Sequence, residues 1–335
     1  LAYLLKDSGK KVFIVEARSR LGGRIMSSQP GPTEMGATWF GPKHQELVKT
    51  LAELKLAYYP QYQQGWGVFE SEAGIIQHFN PENFSEPTYR IQGGSYELIR
   101  ALGNALTFEN IHLQTEINQI TFQEHKVQLI DRAENQWEAN KVVSTLPPKL
   151  LFESIAFHHE LDEELPSVAK HTHTWMGESI KFSLLYAEPF WRNRGYAGTY
   201  FSQRGIVTEM YDHTNFERNI FALKGFIQPE AIALSPEERE RRVIQQIAAA
   251  FGKEAQELQK YEEKIWANDP FTLKEEQSAL IPHQNNGHPL LQRPYDDGRF
   301  YLSGTETASQ FGGYMEGALL AARQTYALLE QSFQA

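Results

Sequence analysis

The chain has 335 residues, enough to bury a sizeable core or to divide into two units that share a cleft. Its hydrophobic content of 41%, with 12% aromatic residues, is typical of a globular protein and excludes a disordered one. Lys and Arg number 32 against 42 Asp and Glu, without a basic block, which excludes a nucleic-acid partner. There is no Cys, which excludes disulfides, thiolate nucleophiles and a cysteinyl link to a cofactor.

Hydropathy and histidine spacing exclude two further classes. No apolar run approaches the about 20 residues needed to span a bilayer, and no signal-peptide pattern opens the chain. We therefore expect a soluble, cytoplasmic protein. The 11 histidines show no ligand spacing, so we expect no metal site. No pattern indicates the oligomeric state.

The first residues predict the second half of a βαβ unit. "LAYLLKDSGKK" has helical apolar spacing that stops at Gly9, and "VFIVE" is typical of a strand buried on both faces of a parallel sheet. Glu16, at the end of that strand, is placed to accept hydrogen bonds from both hydroxyls of an adenosine ribose. The glycine-rich phosphate loop, which precedes such an acid by about 20 residues, would fall before residue 1.

A basic, glycine-paired turn follows the strand. Gly22 and Gly23 allow the backbone to approach a pyrophosphate, and Arg24 offers it a guanidinium fork. Arg18 is a second basic candidate. Beyond the turn, the pattern predicts a helix ending near Lys55, a helix in "GGSYELIRALGNAL" and an antiparallel meander that closes on Pro147 and Pro148.

The middle section predicts strands and one well-capped helix. The strands are "SIKFSLLY" and "IFALKGFI". Ser235 can cap the helix, Glu238 completes a capping box, and Gly252 ends it. Lys181 lies in the first of these strands, where a charged side chain is costly unless it has a task or a partner. We therefore take it as the leading catalytic candidate.

The last segment predicts a strand, a loop, a glycine pair and a long helix. Gly312 and Gly313 leave the backbone bare where the helix that begins near Tyr314 presents its free N–H groups. Such a terminus favours negative charge in a ligand bound beside it.

Several motifs in order along the chain resemble one family. They are "VEARSRLGGR", "EMGATWFG", "GGSYELIRAL", "VVSTLPP", "SIKFSLLYAEPFWR" and "YLSGTETASQFGGYMEGALLAA". Their order and spacing resemble the flavin-containing amine oxidases, the group that includes the monoamine oxidases. The resemblance covers nearly the whole chain.

The resemblance implies bound FAD, held without a covalent bond because Cys is absent. It implies that Lys181 holds a water against flavin N5 and assists the reaction with oxygen. It gives Tyr314 a catalytic role as one wall of an aromatic cage for the amine. The cofactor contacts it implies are Glu16, Ala17, Arg18, Gly22, Gly23, Arg24, Gly36, Ala37, Thr38, Trp39, Ile117, Trp266, Gly304, Glu306, Gly313, Tyr314 and Met315.

The chain departs from that family pattern in two further places. The stretch between Pro60 and Gly93 is short where familiar members have a long, largely helical excursion, so we expect a more open substrate cavity. The second wall of the cage has no matching Tyr, and Trp266, Phe311 or Trp39 could replace it.

The expected architecture is a two-domain α/β protein. Residues 1–60, 94–170 and 277–335 form a doubly wound, Rossmann-like FAD-binding domain, and residues 61–93 and 171–276 form a smaller α+β substrate domain with a mixed sheet. The expected reaction is hydride transfer from the carbon of a C–N bond of an amine or amino acid to the flavin. Oxygen then accepts the electrons, and the products are an imine or aldehyde and hydrogen peroxide. The alternatives are a C–C desaturase or porphyrinogen-type oxidase of the same superfamily, or a non-catalytic relic.

Overall fold

A computed structural model describes residues 1–28, 33–83, 86–106, 108–159 and 161–334. Its helices, in chain order, are α1 Ala2–Leu5, α2 Gln45–Glu53, α3 Tyr96–Asn104, α4 Pro148–Ser154, α5 Leu165–Lys170, α6 Phe190–Asn193, α7 Pro236–Phe251 and α8 Met315–Gln334.

The strands, in chain order, are β1 Ile14–Val15, β2 Tyr58–Pro60, β3 Trp66–Glu70, β4 Ile76–Phe79, β5 Tyr89–Ile91, β6 Ile111–His112, β7 Ile117–Phe122, β8 Val127–Asp131, β9 Gln136–Ala139, β10 Val142–Ser144, β11 Ala156–Phe157, β12 Ile180–Tyr186, β13 Tyr196–Ser202, β14 Val207–Asp212, β15 Phe221–Ile227, β16 Lys260–Ile265 and β17 Phe300–Leu302.

The largest sheet is mixed and has seven strands in the order β16-β12-β15-β14-β13-β3-β4. All neighbours are antiparallel except β13 and β3. Because side chains alternate along a strand, β12 presents Ile180, Phe182 and Leu184 to one face. These three pack with the buried side of α7 in the largest apolar cluster. The opposite face of β12 carries Lys181 and Ser183.

Helix α7 forms where the capping residues predict it. The Ser235 side chain accepts a hydrogen bond from the Glu238 backbone N–H at 3.2 Å, and Gly252 ends the helix with a φ of 109°. The reciprocal half of the expected capping box is replaced by another contact. The Glu238 carboxylate bonds the guanidinium groups of Arg241 and Arg242, because both are one turn away on the exposed face.

Two short parallel pairs and a four-stranded mixed sheet lie outside the seven-stranded sheet. β1 pairs with β6, β10 pairs with β17, and β7, β8, β9 and β11 form a four-stranded sheet. The expectation that β1 is buried on both faces is wrong. Ile14 and Val15 are half-buried, because in the described chain this strand has a neighbour on one edge only.

Helix α8 is fixed to α2 by a carboxylate. Glu316, in the first turn of α8, accepts hydrogen bonds from the backbone N–H groups of Glu46 and Leu47 at 3.0 and 2.7 Å. It therefore caps the N-terminus of α2, where a negative charge is favoured. Arg323, two turns further along α8, pairs with Glu46 at 2.6 Å. These contacts set the position of the residues that precede α8.

The predicted α/β class with a separate mixed sheet is confirmed. The strands of the seven-stranded sheet come from two segments, residues 66–79 and 180–265. The exact domain boundaries given above stay a prediction. In the described part of the chain, no helix has both the length and the apolar character needed to cross a membrane.

The cap of α7 gives a first prediction. Replacing Ser235 by Ala removes the acceptor for the Glu238 N–H and lowers the free energy of unfolding by about 1 kcal/mol. Urea unfolding measures the change. Ser235→Gly is the control, since glycine at a cap leaves the N–H open to water and costs less. Equal stability of wild type and Ser235→Ala would show that this cap does not stabilise α7.

Candidate functional site

The polar face of the seven-stranded sheet carries the predicted catalytic lysine. Strand register places residues of β12, β15 and β14 directly opposite one another, so that they share a face. Two neighbouring rows result: Lys181, Phe226 and Glu209, and beside them Ser183, Lys224 and Tyr211. Both lysines are buried.

The segment Thr33–Trp39 lies across this face and is bonded to it along its length. The Thr33 hydroxyl donates to Glu262 at 2.6 Å, and the Trp266 indole N–H donates to the Met35 carbonyl at 2.8 Å. The Lys181 ammonium donates to the Gly36 carbonyl at 2.7 Å. Lys224 donates to the Thr38 hydroxyl, and the Trp39 indole N–H donates to Gln61 at 2.9 Å.

Gly36 joins this segment to the basic turn. Its backbone N–H donates to the Met26 carbonyl at 3.0 Å, and the next N–H, of Ala37, donates to the Arg24 carbonyl at 3.1 Å. A Cβ at Gly36 would overlap the Arg24 carbonyl and lie 2.5 Å from the Met26 nitrogen. The position therefore requires glycine, since backbone atoms fill the space of any side chain. Lys181 and the basic turn thus lie on either side of one residue.

Burial sets the charge of both lysines. It lowers the pKa of Lys181 to about 8, against the opposing pull of the Glu34 and Glu209 carboxylates. It lowers the pKa of Lys224 well below its usual value, and the positive charge of Lys181 adds to that shift. Burial also raises the pKa of Glu209. Burial thus disfavours the charged forms of all three side chains.

A buried carboxylate beside the lysines has several partners. Glu34 accepts a hydrogen bond from the Ser95 backbone N–H at 2.6 Å. Its other oxygen lies 3.7 Å from both Arg90 and His213. Burial, followed by the positive charge of Arg90, lowers the pKa of His213 well below its usual value. A neutral imidazole leaves Arg90 as the nearest counter-charge to Glu34.

The predicted ribose-binding end lies after β1. Glu16 uses one carboxylate oxygen to accept the Arg18 backbone N–H at 2.8 Å, and the side chain is partly exposed, so acceptor capacity remains. Ala17 lies between the two. Arg18 itself is held by protein groups, Asp269 at 2.6 Å and Thr272 at 3.0 Å. Arg18 therefore ties the strand end to the segment after Trp266.

Arg24 and Glu306 meet although they are far apart in sequence. Arg24 Nη2 donates to Glu306 Oε2 at 3.0 Å, and Nη1 lies 2.7 Å from Oε1 without the alignment of a hydrogen bond. Each group therefore keeps an unused polar atom in a buried setting. Gly304 lies close to the Glu306 carboxylate, since a Cβ at Gly304 would be 3.3 Å from Glu306 Oε2. Such unmet polar atoms fit a ligand that carries both acceptors and hydroxyls.

The turn before α8 places the predicted cage residue. Gly313 has a φ of 87°, and a Cβ there would overlap the side chain of Trp175, so only glycine fits. Its N–H donates to the Thr305 hydroxyl at 2.9 Å, and that hydroxyl donates to the Tyr314 carbonyl at 2.8 Å. Met315 turns its side chain into the core.

Three rings pack around Tyr314, whose side chain is 39% exposed. His283 lies parallel to it at 6.0 Å and also stacks on Trp175 at 4.3 Å, while His44 meets its edge at 5.7 Å. The rings suggested from sequence as a second cage wall have the following neighbours, and their role in a cage stays a prediction. Trp39 packs on Tyr211 and Phe226, Phe311 packs on His44, and Trp266 is buried against the Met35 carbonyl.

The remaining predicted contacts lie at the edges of this region. Gly22 and Gly23 have φ values of 101° and 55°, and a Cβ at Gly23 would meet open space. Ile117 begins β7 and packs on an apolar cluster. The cofactor roles of all these residues stay predictions.

Sequence reasoning missed several members of the site. Lys224 carries the same signal as Lys181, a lysine inside an apolar strand, and could have been found in "IFALKGFI". Glu34, Arg90 and His213 gave no local signal, because only the fold brings their segments together. The same holds for Trp175 and His283.

Comparison with known proteins identifies the class. The sequence profile of the flavin-containing amine oxidoreductases matches residues 1–65 and 61–325. A probable flavin-containing monoamine oxidase A of Dictyostelium discoideum is 28% identical over 434 aligned residues, which cover 95% of this chain and 92% of the relative. Human flavin-containing amine oxidase B is 33% identical over 195 residues, covering 55% of this chain and 36% of the human protein.

Two solved structures share the fold. Cyclohexylamine oxidase from Brevibacterium oxydans aligns with a TM-score of 0.86 at 19% identity, over 99% of this chain and 96% of that one. Wild-type putrescine oxidase bound to putrescine aligns with a TM-score of 0.82 at 20% identity, over 99% and 96%. Fold and sequence together define an FAD-dependent oxidoreductase. The chain belongs to the flavin-containing amine oxidoreductase family.

The close approach at Gly36 gives a second prediction. Replacing Gly36 by Ala forces the segment off the Arg24 carbonyl and lowers the free energy of unfolding by about 3 kcal/mol, since the obstructing atoms are backbone. Gly41→Ala is the matched control, because a Cβ there would meet nothing within 4 Å. Urea unfolding compares the two. Equal losses in both variants would contradict the packing described here.

Proposed function

We propose that the chain oxidises a C–N bond of a small amine or amino acid, using FAD held without a covalent bond and oxygen as the electron acceptor. The observation that carries this is the buried Lys181 amine, fixed to the Gly36 carbonyl beside the basic turn. Family membership supports the flavin and the amine, and the relatives named above are a monoamine oxidase, a cyclohexylamine oxidase and a putrescine oxidase. The absence of Cys supports a non-covalent cofactor.

The residues present fit a flavin dinucleotide. Glu16 has free acceptor capacity for a ribose, Arg24 and Glu306 have unused polar atoms, and the N–H groups of the first turn of α8 suit an anion or a carbonyl. When bound, FAD supplies the redox chemistry, taking a hydride from the carbon next to nitrogen and passing the electrons to oxygen. The protein supplies position and electrostatics.

Lys181 supplies a cation and a hydrogen-bond donor in a dry setting. Below a pH of about 8 its amine is protonated, and the sheet and the Thr33–Trp39 segment exclude water around it. An ammonium in such surroundings stabilises negative charge that develops nearby more strongly than it would in water. In this proposal, Lys181 therefore acts in the oxygen-dependent half of the reaction.

Tyr314 forms one wall for the amine. The exposed part of its ring offers an apolar surface, which favours the neutral amine. In this proposal His283, stacked on Trp175, supports the other side of that wall. The cytoplasmic location expected from the sequence stays a prediction.

The test of the proposed function starts with visible absorption. The full chain, incubated with FAD and freed of excess, is expected to show a flavin spectrum that passes into the solvent fraction on denaturation. An anaerobic screen of small amines and amino acids should then bleach the flavin, and air should restore it with release of hydrogen peroxide. Failure of every amine to bleach bound FAD would refute the assignment.

The ribose assignment gives a third prediction. Glu16→Ala removes a charged acceptor and raises the dissociation constant for FAD by at least about tenfold. Titration of the full chain with FAD, followed by flavin fluorescence, measures this. Glu116→Ala is the control, since that acid pairs with Arg132 on the surface. Unchanged affinity of Glu16→Ala for FAD would contradict the proposed bond between Glu16 and the ribose.

The role of Lys181 gives a fourth prediction. Lys181→Met slows reoxidation of the cofactor by oxygen about a hundredfold, because the cation is lost, while anaerobic reduction by the amine changes little. In the wild type this reoxidation slows as the pH rises through about 8, where the ammonium loses its proton. The variant shows no such pH dependence. Stopped-flow absorbance checks both results, and equal reoxidation rates would exclude Lys181.

A further inference from the structure

A second buried lysine has no place in the function proposed above. Lys224 has no exposed surface, and Lys181 is 5% exposed. Lysines are almost never this buried unless a carboxylate pairs with them. Among the residues that the structure describes, neither lysine forms an ion pair. Their partners are instead uncharged oxygens of one short segment.

The two amines are joined through the Thr33–Trp39 segment. Lys224 Nζ donates to the Thr38 hydroxyl, and that hydroxyl donates to the Gly36 carbonyl at 3.1 Å. The same carbonyl accepts the hydrogen bond from Lys181 Nζ. One continuous chain of hydrogen bonds therefore runs from Lys224 to Lys181. Both amines also lie over the Trp39 ring, at 4.9 and 5.9 Å from its centre.

The groups around the pair do not supply a second counter-charge. From the packed segments, the titratable and charged groups facing it are Glu34, Arg90, Glu209, Tyr211, His213 and Glu262. Glu34 is shared between Ser95 and Arg90, Glu209 accepts from the Tyr211 hydroxyl at 3.0 Å, and Glu262 is bonded to Thr33 and Lys260. If Lys224 were charged, three cations, Lys181, Lys224 and Arg90, would face carboxylates that already bond other groups. A second ammonium would lie unpaired in the interior, which is strongly unfavourable.

We propose that Lys224 is a positioning residue for Lys181: an uncharged amine that, through the Thr38 hydroxyl and the Gly36 carbonyl, sets where the Lys181 ammonium lies. The proposal rests on the proposed function for what Lys181 does, and on the sheet geometry for the link between the two. Burial lowers the pKa of Lys224 well below its usual value, in keeping with this division.

An uncharged Lys224 amine suits this position for a physical reason. An uncharged amine donates to Thr38 and orders its hydroxyl without repelling the ammonium next to it. A permanent cation at residue 224 would oppose the charge of Lys181 across a dry gap. A purely apolar side chain would leave the Thr38 hydroxyl free to turn away from the Gly36 carbonyl. Lysine meets both requirements because its amine can lose its proton when buried.

The charge of Lys224 can be read directly, without activity or flavin. In the full chain labelled with 13Cε,15Nζ-lysine, the resonances of the two residues are identified by their loss in Lys181→Met and Lys224→Met. We expect the Lys224 signal of the flavin-free protein at pH 7 to have the chemical shift of a neutral amine. A shift typical of an ammonium at pH 7 overturns the proposal. Because no flavin is present, this result is independent of the proposed function.

The positioning role is tested with matched variants of the FAD-loaded chain. Lys224→Met and Thr38→Val break the same hydrogen-bond chain, so each should slow the oxygen-dependent step about tenfold, the effect of one lost hydrogen bond. The double variant should be no slower than either single one. Ser183→Ala is the control, because Ser183 lies directly opposite Lys224 and its hydroxyl has no hydrogen-bond partner in the described chain.

The pH profile separates positioning from simple packing. Lys224→Arg places a permanent cation beside Lys181, which makes the Lys181 ammonium lose its proton more easily. The midpoint of the pH profile for cofactor reoxidation by oxygen should therefore fall by about one pH unit or more. Lys224→Met replaces one uncharged group by another and should leave the midpoint in place while lowering the rate. The reverse pattern, a raised midpoint in Lys224→Met, overturns the proposal. The proposal is also overturned if Lys224→Met reoxidises the cofactor at the wild-type rate and keeps the wild-type Lys181 resonance. This second test still applies if Lys224→Arg does not fold.

Discussion

The buried hydrogen bond between Lys181 and the Gly36 carbonyl is the contact on which the site depends. It joins the polar face of the seven-stranded sheet to a segment whose other side is bonded to the basic turn at Arg24 and Met26. Hydrogen bonds of the Thr33 and Thr38 hydroxyls with Glu262 and Lys224 hold the same segment on either side of it. A lysine can make this contact because its long stem crosses the gap while the carbonyl replaces water at the amine.

The two faces of the seven-stranded sheet contribute to the stability of the fold with opposite sign. Ile180, Phe182 and Leu184 bury apolar surface against α7, and each fully buried side chain of this kind stabilises the fold by about 1.5 to 3 kcal/mol. The other face buries amines and carboxylates, which is unfavourable unless every group is bonded. Strand alternation lets one strand do both, since neighbouring residues point to opposite faces. The apolar face therefore offsets the cost of a polar interior that serves the site.

Local signals predicted most elements of the fold, because caps and periodicity act within a few residues. Ser235 and Gly252 fixed the limits of α7, and the glycine pair before Tyr314 fixed the start of α8. The half-burial of β1 could not be predicted this way, because it depends on how many neighbours a strand has. Strand pairing is a property of the whole chain.

The site was predicted in part for the same reason. Lys181 and Lys224 were both readable as lysines in apolar strands, and only the first was taken as functional. Whether such a lysine points to solvent or into a packed interface depends on what covers the sheet, and Thr33–Trp39 lies far away in sequence. The ring neighbours of Tyr314 show the same limit, since Trp175 and His283 come from separate loops.

The negative overall charge of this molecule does not describe the charge inside its site, and the difference follows from burial. The chain carries a formal charge of -10, yet two buried lysines lie over the Trp39 ring and a buried Arg90 lies beside Glu34. Surface carboxylates are screened by water and salt within about 10 Å, so they do not neutralise an enclosed amine. A site that must hold negative charge in a reaction can therefore be built inside an acidic protein, provided that its cations are few, bonded to fixed oxygens and shielded from one another. The uncharged amine at Lys224 satisfies the last of these conditions, since it fills the position of a second cation without adding its charge.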